Sequence, residues 1–129
     1  MKTKVASAVF GIAAMWSLLS LTPVLFMLEA IGKNDAEPVT HPGFCFGFLC
    51  VGLAWGAAFA AIAWNPVRLR PMMIPAVLGK SGYGLAIYLL LRQGRTSAPD
   101  LVFGAADLLL GGLLGLAYAT TPSAAPREA

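Results

Sequence analysis

The chain has 129 residues, of which 58% are hydrophobic and only 12% are charged, and its formal net charge is +3. Its mean hydropathy is +0.76, so too few polar residues are available to cover a water-soluble fold. A disordered chain is also excluded, because disorder requires few apolar residues and many charges. At roughly 20 residues per membrane span, the length accommodates four spans with short connections and leaves no room for a soluble domain.

Four apolar stretches predict membrane spans at about residues 5–28, 43–64, 72–91 and 101–118. Lys2 and Lys4 precede the first stretch and raise the alternative of a signal peptide. However, this stretch is longer than a signal peptide's apolar region and lacks a clear cleavage site, so we expect an uncleaved helix. Short connections imply antiparallel neighbours. The sequence therefore predicts an all-α integral membrane protein, a single transmembrane domain over residues 1–129 built as an antiparallel four-helix bundle.

The positively charged residues outside the spans predict the orientation of the chain. They are Lys2, Lys4, Arg68, Arg70 and Arg127 on one side and Lys33, Arg92 and Arg95 on the other. Five against three favours a topology with both termini in the cytoplasm. The net charge then requires no nucleic-acid partner. The expected partner is the bilayer, with Arg68 and Arg70 in contact with anionic lipid headgroups.

Glycines recur at a spacing of four residues inside the predicted spans. The pairs are Gly43 and Gly47, Gly52 and Gly56, and Gly111 and Gly115. Small residues at this spacing allow helix backbones to approach closely in lipid, where the hydrophobic effect does not drive helices together. We expect these pairs to pack helices within one chain. The alternative is a contact with a second copy or with another membrane protein.

Two charged residues, Lys80 and Asp107, lie well inside their spans. Lys80 is about 12 Å into the third span, and Asp107 is about 9 Å into the fourth span from the opposite side. Their Cα atoms then differ in height by about 9 Å, which the long lysine side chain largely covers. The interpretations are a static ion pair, a lysine that reaches the inner headgroups, or a functional polar site that also includes Ser81 and Tyr83.

Two enzymatic motifs are considered and rejected. The string Gly79-Lys80-Ser81 is similar to the end of a phosphate-binding loop, but Ile74 stands where that motif requires glycine, and no strand precedes it. A Ser-His-Asp set is not expected either, because the single histidine, His41, lies outside the spans. No catalytic residue and no cofactor-binding residue is predicted.

The sequence does not predict metal binding or thiol chemistry as the main role of its cysteines and histidine. Cys45 and Cys50 do not form a C-x-x-C motif and lie about 140° apart around a helix, so they are expected to be packing residues. An outer disulfide is the alternative. A zinc site at His41 would need Asp35 or Glu37 from the acidic connection between the first two spans. This connection is expected to be solvated, with attraction of cations as the alternative, and no metal site is predicted.

The connection between the second and third spans carries the only family signature. The string Asn65-Pro66-Val67-Arg68-Leu69-Arg70-Pro71, followed by Gly79-Lys80, resembles the N/D-P-x-R-x-x-P turn and G-K pair of small four-helix bacterial inner-membrane proteins. The resemblance covers mainly residues 52–91, and the architecture is loosely similar to that of DoxX-like proteins. It implies a small multi-span membrane protein and implies no ligand. Small multidrug exporters carry an acid within the first span, where this chain has none.

The leading interpretation is therefore a structural or accessory membrane component whose bundle is held by glycine packing and by a Lys80–Asp107 pair. The first alternative is a small-ligand or proton-coupled carrier that uses these two charges. The second alternative is a quinone- or redox-linked membrane protein, with aromatic side chains lining a lipid-accessible slot and Cys45 or Cys50 taking part. Enzymatic activity is not expected.

Overall fold

The computed structural model describes residues 2–34 and 41–125. It contains four α-helices, α1 (Lys2–Asn34), α2 (Pro42–Trp64), α3 (Met73–Arg92) and α4 (Ala98–Thr120), with a short 3-10 turn at Arg70–Met72 before α3. No strand occurs in these two ranges. All four helices are long and apolar enough to cross a membrane, so the predicted all-α four-helix bundle is confirmed and the chain is a multi-pass membrane protein. Asp35, Glu37 and Arg127 lie outside the described residues.

Prolines and polar caps set several helix boundaries. Pro42 lies in the first turn of α2, where its missing N–H costs no helical hydrogen bond. Ser97 caps α4, because its hydroxyl accepts the Asp100 N–H while the Asp100 carboxylate accepts the Ser97 N–H and O–H. Beyond α3, Gly94 adopts a φ of 68°, a left-handed conformation that favours glycine. The predicted span limits are therefore close to the helix limits, except that α1 continues to Asn34.

The four helices do not pack equally against one another. Helix α1 packs along α2, α3 packs along α4, and α1 joins the two pairs by packing on α4, whereas α2 and α3 contact each other at few positions. The short connections predicted antiparallel neighbours in a compact bundle, which would include a contact between α2 and α3. Instead, a gap separates α2 from α3 although they are consecutive in the sequence.

Glycine contacts explain why α3 and α4 lie so close together. A Cβ added at Gly84 would overlap Leu108, and one at Gly104 would lie 2.6 Å from Cγ2 of Ile87. Gly111 packs against the backbone and side chain of Ser81. Because these positions have no side chain, the two backbones approach more closely than larger residues permit.

The three glycine pairs predicted to pack helices together differ in whether they lie at a helix contact. Gly52 and Gly56 pack against α1, so this pair acts within the chain as expected. Gly43 and Gly47 face open space, and of the third pair only Gly111 is at a helix contact, whereas Gly115 meets no atom within 4 Å. Spacing alone does not identify which glycines are in helix contacts.

The tightly packed core occupies one end of the bundle. Its largest fully buried side chains are Phe10, Ile62, Met73 and Leu114. They come from the first half of α1, the end of α2, the start of α3 and the second half of α4, and therefore lie at the end that holds the connection between α2 and α3. The opposite half of the bundle contains the cavity described below.

Replacement of Gly104 by alanine should destabilise the fold, because the new Cβ would lie 2.7 Å from the Cβ of Ile87, which cannot rotate away. Overpacking of this kind costs about 1 to 3 kcal/mol. Gly112→Ala in the same helix is the matched control: its Cβ meets no atom within 4 Å, and alanine favours the helix by up to about 1 kcal/mol. Thermal unfolding in detergent compares the variants, and equal changes in Tm would contradict the packing described here.

Candidate functional site

Lys80 and Asp107 form an ion pair between α3 and α4. The Lys80 Nζ lies 2.8 Å from Asp107 Oδ1, and each side chain retains 13% of its surface exposure. The ion pair that the sequence analysis considered for these two residues is thus present. In a low-dielectric interior such a contact is much stronger than in water, although removing both charges from water opposes it.

The ion pair retains free hydrogen-bonding capacity. A lysine ammonium group has three N–H donors and an aspartate has two acceptor oxygens, and one contact between them is present. In the described part of the chain, the Arg70 Nε is the only buried side-chain polar atom without a partner. Asp107 Oδ2 is therefore not buried and can accept a hydrogen bond from a bound molecule.

A cavity of about 620 Å³ reaches this ion pair. All four helices contribute to its lining, and Lys80, Tyr83 and Asp107 are among the lining residues. The cavity extends from the level of Phe59 and Ala76, next to the packed core, towards the end of the bundle where α2 and α4 begin. Its volume is typical of a pocket for one small molecule.

Aromatic side chains form much of the cavity wall. The aromatic lining residues are Trp16, Phe44, Phe48, Trp55, Phe59, Tyr83 and Phe103. Several contact one another: the ring centroids of Trp16 and Phe103 are 5.9 Å apart, and those of Phe48 and Tyr83 are 6.0 Å apart. The Lys80 Nζ also lies 5.8 Å from the centroid of Phe59, within the range of a cation–π contact. The wall thus combines apolar ring faces with a single charged pair.

Other polar groups in the wall are mostly engaged locally. The Ser20 hydroxyl donates to the backbone oxygen of Trp16, and Asp100 is held by its capping interactions with Ser97. Ser17 is buried beside them. The charged group with free capacity that the cavity offers is the Lys80–Asp107 pair, and the hydroxyls of Ser17 and Tyr83 line the cavity with it.

The structure separates some residues that the sequence analysis grouped together. Ser81 was expected beside Lys80 and Tyr83 in one polar site, but it is not among the described residues that line the cavity, and its side chain packs against Gly111. Cys45 lines the cavity, whereas Cys50 is exposed on the bundle surface, and both thiols are free. Their placement on different helix faces agrees with the predicted angular separation.

The two arginines of the α2–α3 connection have different environments. The guanidinium of Arg70 lies 4.2 Å from the ring centroid of Tyr118, and its Nη1 donates to the Ser123 hydroxyl at 3.1 Å. Arg68 is exposed, and only its backbone N–H is held, by the Asn65 side chain. Arg70 therefore attaches the connection to the end of α4, and Arg68 is the more available of the two to a lipid headgroup.

A lipid-accessible slot with aromatic walls is part of the second alternative given above, but most of the residues that line the cavity were not named for it. Trp16, Trp55 and Gly79 are lining residues that composition did not single out as parts of a site. One signal was present, because Trp16 and Trp55 lie deep in their spans, whereas tryptophan is typically enriched at membrane interfaces. An exposed Trp64, at the end of α2, follows that usual preference.

No known protein family, curated protein or solved structure matches this chain. The resemblance of the Asn65–Pro71 connection to that of small four-helix bacterial inner-membrane proteins, and the loose similarity in architecture to DoxX-like proteins, thus stay predictions.

Removal of one member of the ion pair should be strongly destabilising, because it leaves a partly buried charge without its partner. We expect Lys80→Met or Asp107→Leu alone to cost about 3 kcal/mol, and the double variant to regain most of this loss, because neither charge then remains. Unfolding in detergent of all four proteins measures the coupling between the two sites. Losses that simply add in the double variant would show that the two side chains do not interact.

Proposed function

We propose that this membrane protein binds a small amphiphilic molecule in the cavity between its helices, with the polar group of that molecule at Lys80 and Asp107. The observation that carries the proposal is the cavity of about 620 Å³ that reaches the ion pair. This proposal keeps the ligand binding of the carrier alternative given in the sequence analysis. It does not include movement of the ligand across the membrane.

The chemistry of the cavity supports this proposal. Ionisable side chains inside membrane spans are costly, and they are commonly found facing a cavity or pathway. Here the pair is accessible from a cavity whose mostly apolar wall includes seven aromatic side chains. Apolar walls with a few convergent polar groups are the typical composition of a small-molecule site. An amphiphile suits such a site because its apolar part contacts the rings while its polar part reaches the charges.

A structural or accessory role is the second candidate. The observation that favours it is that the ion pair joins α3 to α4, which also pack closely through Gly84 and Gly104. Under this interpretation Lys80 and Asp107 strengthen an existing helix contact, and the cavity is occupied by ordinary lipid chains. The two candidates differ in whether a particular molecule is retained by the cavity.

Leucine at Gly79 tests the binding function. Gly79 lines the cavity and Gly82 does not, yet a Cβ at either position meets no atom within 4 Å, so Gly82→Leu is a matched control in the same helix. We expect wild type and Gly82→Leu to retain a particular small amphiphile through purification in mild detergent, and Gly79→Leu to retain about tenfold less, which corresponds to 1.4 kcal/mol. Mass spectrometry of the organic extract measures the amounts.

Two results of this experiment would contradict the binding function. If Gly79→Leu retains the same molecule in the same amount, or if wild type retains only bulk membrane lipid in bulk proportions, the binding function is wrong and the structural role is favoured.

We further propose that the protein lies in a bacterial inner membrane with both termini in the cytoplasm. Four spans leave both ends on one side, and the distribution of lysine and arginine favours the cytoplasm for that side. Arg68 would contact anionic headgroups there. An interaction with a second copy or another membrane protein remains part of this proposal, since Gly43 and Gly47 face the outside of the bundle.

A cysteine-accessibility experiment tests the orientation. In a Cys45→Ser, Cys50→Ser background, Gln93→Cys and Ala125→Cys place single thiols at exposed positions. We expect a membrane-impermeant maleimide to label the cysteine at position 93 in cells whose inner membrane is intact, and the one at position 125 only after permeabilisation. The reverse labelling pattern would show that both termini lie outside the cytoplasm, opposite to the proposed topology.

A further inference from the structure

The gap between α2 and α3 connects the cavity with the lipid-facing surface of the bundle. Phe48 and Val51 of α2 line the cavity and are nevertheless 55% and 59% exposed. On the other side of the gap, Gly79 of α3 lines the cavity and is also exposed. Residues that belong at once to the cavity and to the outer surface mark an opening, and this opening faces the surrounding lipid.

Phe48 and Tyr83 contact each other across this gap, with ring centroids 6.0 Å apart, and the small α3 residues that precede Tyr83 leave the neighbouring part of the gap open. Pro75, Ala76 and Gly79 are the lining residues that precede Lys80 along α3, and a Cβ at Gly79 would meet nothing within 4 Å. The end of the bundle below them is closed by the fully buried Phe10, Ile62 and Leu114. A molecule therefore has a lateral route from the bilayer, and the packed core blocks a route from that end.

The charge balance of the ion pair restricts the kind of polar group that fits. Lys80 and Asp107 neutralise each other at 2.8 Å, and the third charged lining residue, Asp100, is seven residues earlier in the capping box at the start of α4. A charged ligand at the ion pair would therefore add a net charge to a low-dielectric site. An uncompensated charge in such a site costs several kcal/mol. A hydroxyl group adds none, because it can accept a hydrogen bond from Lys80 and donate one to Asp107 Oδ2.

We infer that the ligand is an uncharged, hydroxyl-bearing amphiphile, such as a long-chain alcohol, and that it reaches Lys80 and Asp107 sideways from the bilayer through the gap between α2 and α3. This inference rests on the proposed binding function and specifies its ligand class and its route.

Tryptophan quenching by brominated amphiphiles tests both parts. Trp16 and Trp55 line the cavity, and Trp64, which is 92% exposed, is replaced by phenylalanine to remove its signal. The protein is reconstituted in phosphatidylcholine vesicles with one of three probes: 9,10-dibromooctadecanol, its sulfate ester, or the trimethylammonium analogue with the same brominated chain. We expect the alcohol to quench at about a tenfold lower mole fraction than either charged probe.

The route is tested in the same vesicles by Gly79→Leu, with Gly82→Leu as the matched control. We expect Gly79→Leu to abolish the preferential quenching by the alcohol and Gly82→Leu to retain it. Circular dichroism and elution as a single species establish that each variant is folded.

The possible outcomes separate the inference from the proposed function. Preferential quenching by a charged probe, or equal quenching by all three that Gly79→Leu abolishes, would overturn the uncharged ligand and leave amphiphile binding intact. Preferential quenching by the alcohol that persists in Gly79→Leu would overturn the lateral route and also this cavity as the binding site. Quenching by all three probes at the level of bulk lipid, unchanged in Gly79→Leu, would overturn the binding function together with the inference.

Discussion

The arrangement of this protein depends on where helix backbones can approach each other closely. In lipid, apolar side chains gain little by leaving the surrounding hydrocarbon, so packing between small residues decides which helices associate. Gly84 and Gly104 bring α3 against α4, and Gly52 and Gly56 bring α2 against α1. No glycine in α2 meets α3 in this way among the described residues. The molecule is consequently two close helix pairs joined by α1 and α4, with a gap on the remaining side.

The size of the side chains then determines whether the interior is filled or open at each end of the bundle. Towards the α2–α3 connection, Phe10, Ile62 and Met73 fill the interior completely. Towards the other end, α2 and α3 contact each other through Phe48 and Tyr83, but Gly79 on α3 is too small to reach across to α2, and the space beside it remains open. The Lys80–Asp107 pair lies in this open half. The same small residue that leaves room for a ligand therefore also leaves the two charges accessible.

Sequence reasoning predicted the features that depend on one helix at a time. Span positions follow from the length and hydropathy of each apolar stretch, and the heights of Lys80 and Asp107 follow from the rise per residue. The gap was not predictable in this way, because Gly43, Gly47, Gly52 and Gly56 all have the spacing of a packing motif although only two of them contact α1. Ser81 illustrates the same limit: it adjoins Lys80 in sequence, but one helical residue turns it by about 100° towards Gly111.

Stability alone is a weak explanation for an ion pair at this position. Two charges must be removed from water to place them there, and well-packed apolar side chains of similar volume commonly stabilise a protein as much or more. The α3–α4 contact already has its close glycine packing, so Lys80 and Asp107 are not required to bring these helices together. The Lys80–Asp107 pair carries no net charge, yet it presents free hydrogen-bond donors and a free acceptor to a cavity that opens towards lipid. Apolar side chains at the same positions would not provide these hydrogen-bonding groups. This difference is the physical argument for the proposed binding function over a purely structural role of the ion pair.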